Sequence, residues 1–187
     1  MPYLTSAFGA GWRHHLWLAL LVCASLGLTL GFACAVPFAA FGAVAALSLP
    51  RRDALLLTVG LWLVNQIVGF TVMQYPWDAM TAAWGGILGL VAILSTGAAR
   101  AVVGRCGPAS GSLLGFAAAF VAYEGSLYLI SSLGMGGVED FTPAIVVSIL
   151  QINAAAFAAL LATAFALAAI GPRHGASIRS PVLIASR

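Results

Sequence analysis

One carboxyl group and four side-chain amides interrupt apolar segments of this chain, and these groups could bind a ligand or move a proton. Glu124 lies in one such segment, Asn65 and Gln66 lie in a second, and Gln151 and Asn153 lie in a third. An ionisable group costs about 2.5–3.5 kcal/mol in a membrane span, so it marks a functional candidate by default. Carboxyl and amide groups also orient a small polar ligand through hydrogen bonds.

Other chemistries lack the residues they need. The chain contains no lysine and therefore no G-x-x-x-x-G-K-[ST] loop, so we do not expect it to hydrolyse ATP by itself. No histidine lies inside an apolar segment to activate Ser126, and the pair His14 and His15 is expected to anchor the chain at a membrane surface. The three cysteines have neither C-x-x-C nor metal-site spacing. We expect no enzyme, no metal site and no bound cofactor.

The composition is typical of a polytopic membrane protein. Of its 187 residues, 62% are hydrophobic and 7% are charged, and the mean hydropathy is +1.05. A soluble domain carries about 25% charged residues, so this chain cannot cover a water-facing surface. The net charge of +3 comes from scattered arginines rather than a basic patch, which argues against nucleic-acid binding. We predict a single transmembrane domain covering residues 1–187 in a lipid bilayer.

The positions of the arginines predict the direction of each helix. All eight basic residues lie at ends of apolar segments that can be placed on one side of a membrane, and Asp78, Glu139 and Asp140 fall in the opposite gaps. By the positive-inside rule, the arginine side is cytoplasmic. The chain is therefore predicted to be all-α, a compact bundle of six transmembrane helices in a bacterial inner membrane, with both termini cytoplasmic.

The first apolar run needs two helices. Residues 15–49 would span about 50 Å as one helix, whereas the hydrocarbon core is about 30 Å thick. Pro37 and the small residues before it predict a tight outer turn. Cleavage of a leader after Ala35 is disfavoured because the segment before Arg13 is long. The helices are predicted at about 14–32, 36–49, 54–73, 79–103, 110–133 and 142–170, followed by a loose cytoplasmic tail at 172–187.

Small residues recur at a spacing of four, which lets helix backbones approach closely in a membrane. Packing inside the bundle is the favoured interpretation, and docking of another membrane protein on helix 1 is the alternative. The helix 1 stripe is Ala19, Cys23, Gly27 and Gly31, and the later pairs are Gly85 with Gly89 and Gly111 with Gly115.

Counted from the helix ends, the polar groups of helices 3, 5 and 6 share one depth, in the half away from the arginines. Interhelical hydrogen bonding explains Asn65 and Gln66 equally well, and an interfacial aromatic belt explains Tyr75 and Trp77. Aromatic residues at this depth would also stack against a flat ligand. The predicted substrate-binding residues are Asn65, Gln66, Tyr75, Trp77, Trp84, Tyr123, Glu124, Tyr128, Gln151 and Asn153.

The layout of six short helices with a small-residue stripe on helix 1 resembles the substrate-binding S components of energy-coupling-factor vitamin transporters. Within that group, the segment Asn65-Gln66-Ile67-Val68-Gly69-Phe70, with Tyr75-Pro76-Trp77 and Trp84-Gly85 after it, is most similar to the solitary proteobacterial cobalamin transporters. The resemblance implies a pocket facing outward under the 1–2, 3–4 and 5–6 loops. It also implies that the helix 1 stripe meets a transmembrane coupling subunit that works with ATPases.

Some cobalamin members ligate cobalt through a cysteine near helices 3 and 4, and residues 71–75 of this chain contain none. Cobalt–thiolate chemistry is therefore in doubt here, although Cys34 at the predicted outer turn could approach a ligand.

The expected function is capture of a vitamin-like small molecule, with cobalamin as one transported ligand, from the periplasmic side for import. Glu124 is expected to bind the ligand, and the loops at 74–78 and 134–140 are expected to act as gates. One alternative is a proton-coupled carrier or small channel in which Glu124 titrates. The other is a membrane scaffold whose polar groups only join helices.

Overall fold

A computed structural model describes residues 4, 7–8, 11–32, 36–106 and 108–170 of the chain. No strand occurs in these ranges, which confirms the all-α prediction for them. A π-helical turn at Ser131–Met135 extends the fifth helix, and a 3₁₀ turn at Val138–Asp140 precedes the sixth. The α-helices are α1 Trp12–Phe32, α2 Phe38–Ser48, α3 Arg51–Thr71, α4 Ala79–Val103, α5 Pro108–Ile130 and α6 Pro143–Ile170.

The observed helix bounds lie close to the predicted ones. α3 begins three residues earlier than predicted. Pro50 precedes its first turn, and the negative charge of Asp53 in that turn stabilises the positive end of the helix dipole. α4 has its predicted bounds, since the Asp78 carboxylate accepts a hydrogen bond from the Thr81 backbone N–H at 2.7 Å. The same hydrogen bond lowers the pKa of Asp78 below its usual value. The predicted tail and the predicted outer turn at 33–35, with Cys34, lie outside the described residues.

Five of the helices are long and apolar enough to cross a membrane. The exception is α2, whose 11 residues span about 16 Å, roughly half of the hydrocarbon core. Every residue of α2 is buried, and the helix contacts α3, α4, α5 and α6. The predicted count of six transmembrane helices is therefore not confirmed in the described ranges, because α2 is a half-length central helix rather than a full span.

Several contacts bring the ends of separate helices together at one end of the bundle. Arg13 donates a hydrogen bond to the backbone carbonyl of Leu167, so α1 begins where α6 ends. Arg100 donates to the carbonyl of Leu49 at 3.0 Å, which places the end of α4 beside the end of α2. Arg51 begins α3 here. We call this the arginine end, because all five arginines in the described part of the chain lie at it or just beyond it.

Packing between α3 and α4 depends on the predicted glycine pair. A Cβ atom on Gly89 would lie 2.7 Å from the Trp62 ring, and one on Gly85 would overlap the Gln66 side chain. The Trp62 indole N–H donates to the Gly85 carbonyl at 2.8 Å. The predicted small-residue packing is therefore confirmed for Gly85 and Gly89, because two large side chains of α3 occupy the space beside these glycines of α4.

Candidate functional site

A cavity of about 120 Å³ lies between α3, α4 and α5, above the first turn of α2. Asn65 and Tyr123 lie about 21–23 Å along their helices from the arginine end, which is two thirds of the distance across. We call this space the inner cavity. It occupies the half of the bundle away from the arginine end, which is the half predicted from the sequence. Its lining residues are Val36, Phe38, Asn65, Gln66, Tyr75, Thr81, Trp84, Gly85, Leu88 and Tyr123.

Two amides from α3 provide polar groups at the cavity wall. The Gln66 amide donates to the Asn65 side-chain oxygen at 3.2 Å, and Asn65 is 8% exposed. An amide has two N–H donors and an oxygen with two acceptor sites, so each side chain keeps unused hydrogen-bonding capacity. The wall can therefore accept and donate hydrogen bonds to a polar ligand.

Tyr75 closes the cavity from the loop after α3. A Cβ atom on Gly69 would lie 2.7 Å from the Tyr75 ring, so the ring lies directly on the backbone of α3. The Tyr75 backbone N–H donates to the Gly69 carbonyl at 3.0 Å, and Gln74 before it has a left-handed backbone with φ of 56°. The chain thus reverses sharply to fold the ring back.

The floor of the cavity is the start of α2. Pro37 precedes the helix, and Val36 and Phe38 line the cavity. Asn153 of α6 is fully buried and its side-chain oxygen accepts a hydrogen bond from the Ala40 N–H at 3.2 Å. The first turn of a helix leaves N–H groups without intrahelical partners, and Asn153 supplies one such partner across the bundle.

Asn153 therefore links α6 to the first turn of α2. Its amide N–H₂ donates to the Ile149 carbonyl at 3.0 Å, so both ends of the side chain are engaged within the protein. Asn153 is not among the lining residues of either hollow, and the expectation that it orients a substrate stays a prediction.

A second hollow, the side groove, adjoins the inner cavity. It has a volume of about 670 Å³, and Gln66 and Gly85 line both spaces. Trp77 lines the side groove and is 84% exposed, with its ring centroid 4.5 Å from that of Phe70. The side groove thus adds aromatic area next to the polar wall, separated from it by Gln66 and Gly85.

Glu124 is a buried carboxyl on α5 that lines neither hollow. It is 8% exposed and follows Tyr123, which lines the cavity. Among the described residues, no hydrogen bond or ion pair to its carboxyl occurs. The predicted role of Glu124 in ligand binding therefore stays a prediction.

Two further predicted residues lie outside the hollows. Gln151 is exposed on α6. Tyr128 is also exposed, and its ring contacts that of Phe141 from the segment before α6, with centroids 5.4 Å apart. The sequence prediction grouped these residues with the cavity residues because of their depth along the helix. In the structure their side chains lie on exposed faces of α5 and α6. Six of the ten predicted residues line one hollow or the other: Asn65, Gln66, Tyr75, Trp77, Trp84 and Tyr123.

The sequence interpretation missed part of the cavity wall. Thr81 and Leu88 line it with Trp84. These positions follow one another at steps of three and four, the spacing of a single helix face, so the helical period of α4 could have identified them. Val36 and Phe38 had no such signal, because only the shortness of α2 brings them to the cavity floor.

The small-residue stripe of α1 does not pack inside the bundle. Ala19, Cys23, Gly27 and Gly31 are all exposed, and a Cβ atom on Gly27 or Gly31 would meet nothing within 4 Å. The favoured interpretation of intramolecular packing is therefore wrong for this helix among the described residues. The opposite face of α1, with Trp17 and Leu21, is the buried one.

Comparisons of the chain with protein-family models, with curated proteins and with solved structures gave no match.

Proposed function

We propose that this protein is the substrate-capturing subunit of a membrane transporter and takes up a small vitamin-like molecule from the side opposite the arginines. The observation that carries the proposal is the inner cavity, which is polar on its α3 wall, aromatic around it, and placed in one half of the bundle. A structural bundle has no need of a hollow beside two amides with unused hydrogen-bonding capacity, since buried polar groups are otherwise paired.

The dimensions of the two hollows limit the ligand. Sites for drug-sized molecules have volumes of about 300–1,000 Å³, so the inner cavity alone accepts only a small polar group. The side groove is large enough for a flat apolar body. We propose that the polar end of the ligand binds Asn65 and Gln66, and that its body lies near Phe70 and Trp77. A movement of Gln66 would join the two spaces.

The direction of uptake is also a proposal. Arginines concentrate on the cytoplasmic side of membrane proteins, which would place the inner cavity near the periplasm of a bacterial inner membrane. The resemblance to S components adds a partner, a transmembrane coupling subunit with ATPases. The exposed stripe of α1 is compatible with such a partner, because its glycines leave room for a second helix.

The test is mass spectrometry and absorbance spectroscopy of the protein purified in mild detergent. We expect a small molecule to accompany the wild-type chain and to be lost from an Asn65→Leu variant. Gln151→Leu is the matched control, because it also replaces an amide side chain by leucine, at an exposed position outside both hollows. A corrinoid would be visible in the spectrum. If the folded wild type carries no small molecule and none of a panel of vitamins binds it, the proposal fails.

The burial of Glu124 favours a second candidate, a proton-coupled carrier. An unpaired buried carboxyl in a membrane span is suited to binding and releasing a proton. In that case Glu124→Gln abolishes the pH dependence of solute uptake into proteoliposomes while ligand binding persists. Unchanged pH dependence in this variant would exclude the carrier, and unfolding of the bundle would favour the scaffold alternative.

A further inference from the structure

An open groove between α3 and α4 begins at the arginine end. We call it the arginine groove; its volume is about 730 Å³. Arg51 and Arg100 lie among its lining residues, and the rest of the wall is almost entirely apolar, including Leu55, Ile93 and Leu94. From Ile93 to Arg100 the groove follows about 10 Å of α4. The groove is therefore amphipathic along its length, with positive charge at one end and apolar wall toward the membrane centre.

Within the described part of the chain, no ion pair balances the charge of either groove arginine. Among the described residues, the ion pair present joins His14 to Asp53 at 3.7 Å, and neither groove arginine has a carboxylate within ion-pair distance. Arg51 is exposed, and Arg100 uses one of its N–H groups on the Leu49 carbonyl. A guanidinium carries five N–H donors, so both side chains keep donors for an anion.

The apolar part of the groove offers no comparable partner to a polar solute. The Thr96 hydroxyl is already bonded to the Thr58 hydroxyl at 2.9 Å and donates to the Ala92 carbonyl at 3.0 Å. Gly97 is exposed, and a Cβ atom there would meet nothing within 4 Å. The open space beside Gly97 therefore accepts an apolar chain but gives it no hydrogen bonds.

We propose that the arginine groove binds an anionic phospholipid, with the phosphate between Arg51 and Arg100 and an acyl chain along the wall past Gly97. Basic sites between transmembrane helices bind such headgroups by charge. Helix ends lie at the level of the headgroups, so a phosphate bound there directs its acyl chain along the groove toward the membrane centre. The observation behind the proposal is the match between a groove that is charged at one end only and a lipid that is charged at one end only. It does not depend on the proposed transport function.

The test uses native mass spectrometry of the full chain, released from detergent with phosphatidylglycerol or with phosphatidylcholine of the same acyl chains. The wild type retains phosphatidylglycerol at least several-fold more than phosphatidylcholine. Inorganic phosphate, added as a separate probe, does not displace the lipid at equal concentration, because it has no chain to fill the groove. Equal retention of the two lipids overturns the proposal.

Two pairs of variants test the position of the lipid. Arg51→Gln lowers retention of phosphatidylglycerol about fivefold, whereas Arg52→Gln, which removes the same charge from a neighbouring exposed residue outside the groove, leaves it unchanged. Gly97→Leu fills the open space and lowers retention by a similar factor. Gly27→Leu makes the same change at an exposed glycine of α1 and has no effect.

The pairs separate specific binding from general attraction. If Arg52→Gln and Arg51→Gln reduce retention equally, the lipid is held by net charge alone and the proposal is wrong. If Arg51→Gln does not fold, as judged by circular dichroism and size exclusion, Gly97→Leu against Gly27→Leu decides the question. A co-purifying protein or a dimeric mass that Gly97→Leu abolishes would show that a helix occupies the groove, and would also overturn the proposal.

Discussion

The two halves of the bundle are built differently, and the start of α2 divides them. In the half at the arginine end, α2 fills the centre, and all its residues are buried against its neighbours. In the opposite half, the centre holds the inner cavity, lined by Asn65, Gln66 and their aromatic neighbours. The length of one helix therefore determines where this protein is solid and where it is hollow.

The contrast also separates two uses of polar side chains. In the solid half, Thr58 and Thr96 bond to each other, and Ser95 donates to the Ala119 carbonyl at 2.9 Å, so these hydroxyls join helices. In the hollow half, the side chains of Asn65 and Gln66 hydrogen-bond only to each other among the described residues and keep unused donors. Paired polar groups indicate a structural role, and incompletely paired ones beside a cavity indicate binding.

The largest effect is expected from added volume in the solid half. A Cβ atom at Gly42 would lie 2.7 Å from the Thr96 hydroxyl and 3.3 Å from its backbone, which cannot move aside. Gly42→Val should lower the free energy of unfolding by about 3 kcal/mol. Gly60→Val is the control, because Gly60 has open space on α3. Thermal unfolding in detergent measures both, and equal stability of the two variants would contradict a tightly packed half.

The boundary between the halves is tested at Asn153. Asn153→Leu leaves the Ala40 N–H buried without its partner, which should cost about 1–3 kcal/mol of unfolding free energy. Gln151→Leu, on the exposed face of the same helix, should change it by less than about 0.5 kcal/mol. Chemical or thermal unfolding compares the pair. If Asn153→Leu keeps full stability but loses ligand binding, Asn153 belongs to the binding site after all.

The smallest effect is expected from added volume in the hollow half. Val36→Ile places one more carbon at the cavity floor and should change the unfolding free energy by less than about 1 kcal/mol, since space is available. Ala43→Val, which adds apolar carbons in the fully buried middle of α2, should cost more. A larger loss of stability at Val36 than at Ala43 would show that the cavity is closed in solution.

Much of the fold could be predicted because membrane segments obey strong constraints. Length, apolar composition and arginine positions located each helix within a few residues, since an apolar run must match the bilayer and charges must leave it. The predicted bounds of 36–49 already made α2 too short to span the core. Its position at the centre of the bundle could not be predicted in the same way, because its sequence is apolar throughout and does not indicate which helices surround it.

The candidate site was predicted in depth but not in direction. Counting residues from the helix ends predicted that Asn65, Glu124 and Gln151 share one depth in the membrane. Of these three, only Asn65 lines the cavity. Rotation about the helix axis decides which residues converge, and in α5 and α6 the apolar residues surround the helix, so no face is marked. In α3 and α4, the pairing of Gln66 with Gly85 fixes the rotation, and there the predicted residues meet.

The short length of α2 has a consequence for how the protein is made. When segments enter the bilayer one at a time, each needs about 20 apolar residues to span it as a helix, and α2 is shorter than that. The backbone groups at Val36 and Pro37, where the chain is not helical, must also be shielded from lipid by surrounding protein. We therefore expect α2 to reach its final place only after α3 to α6 have been synthesised. Until then, the nascent chain has a segment that depends on later parts of its own sequence.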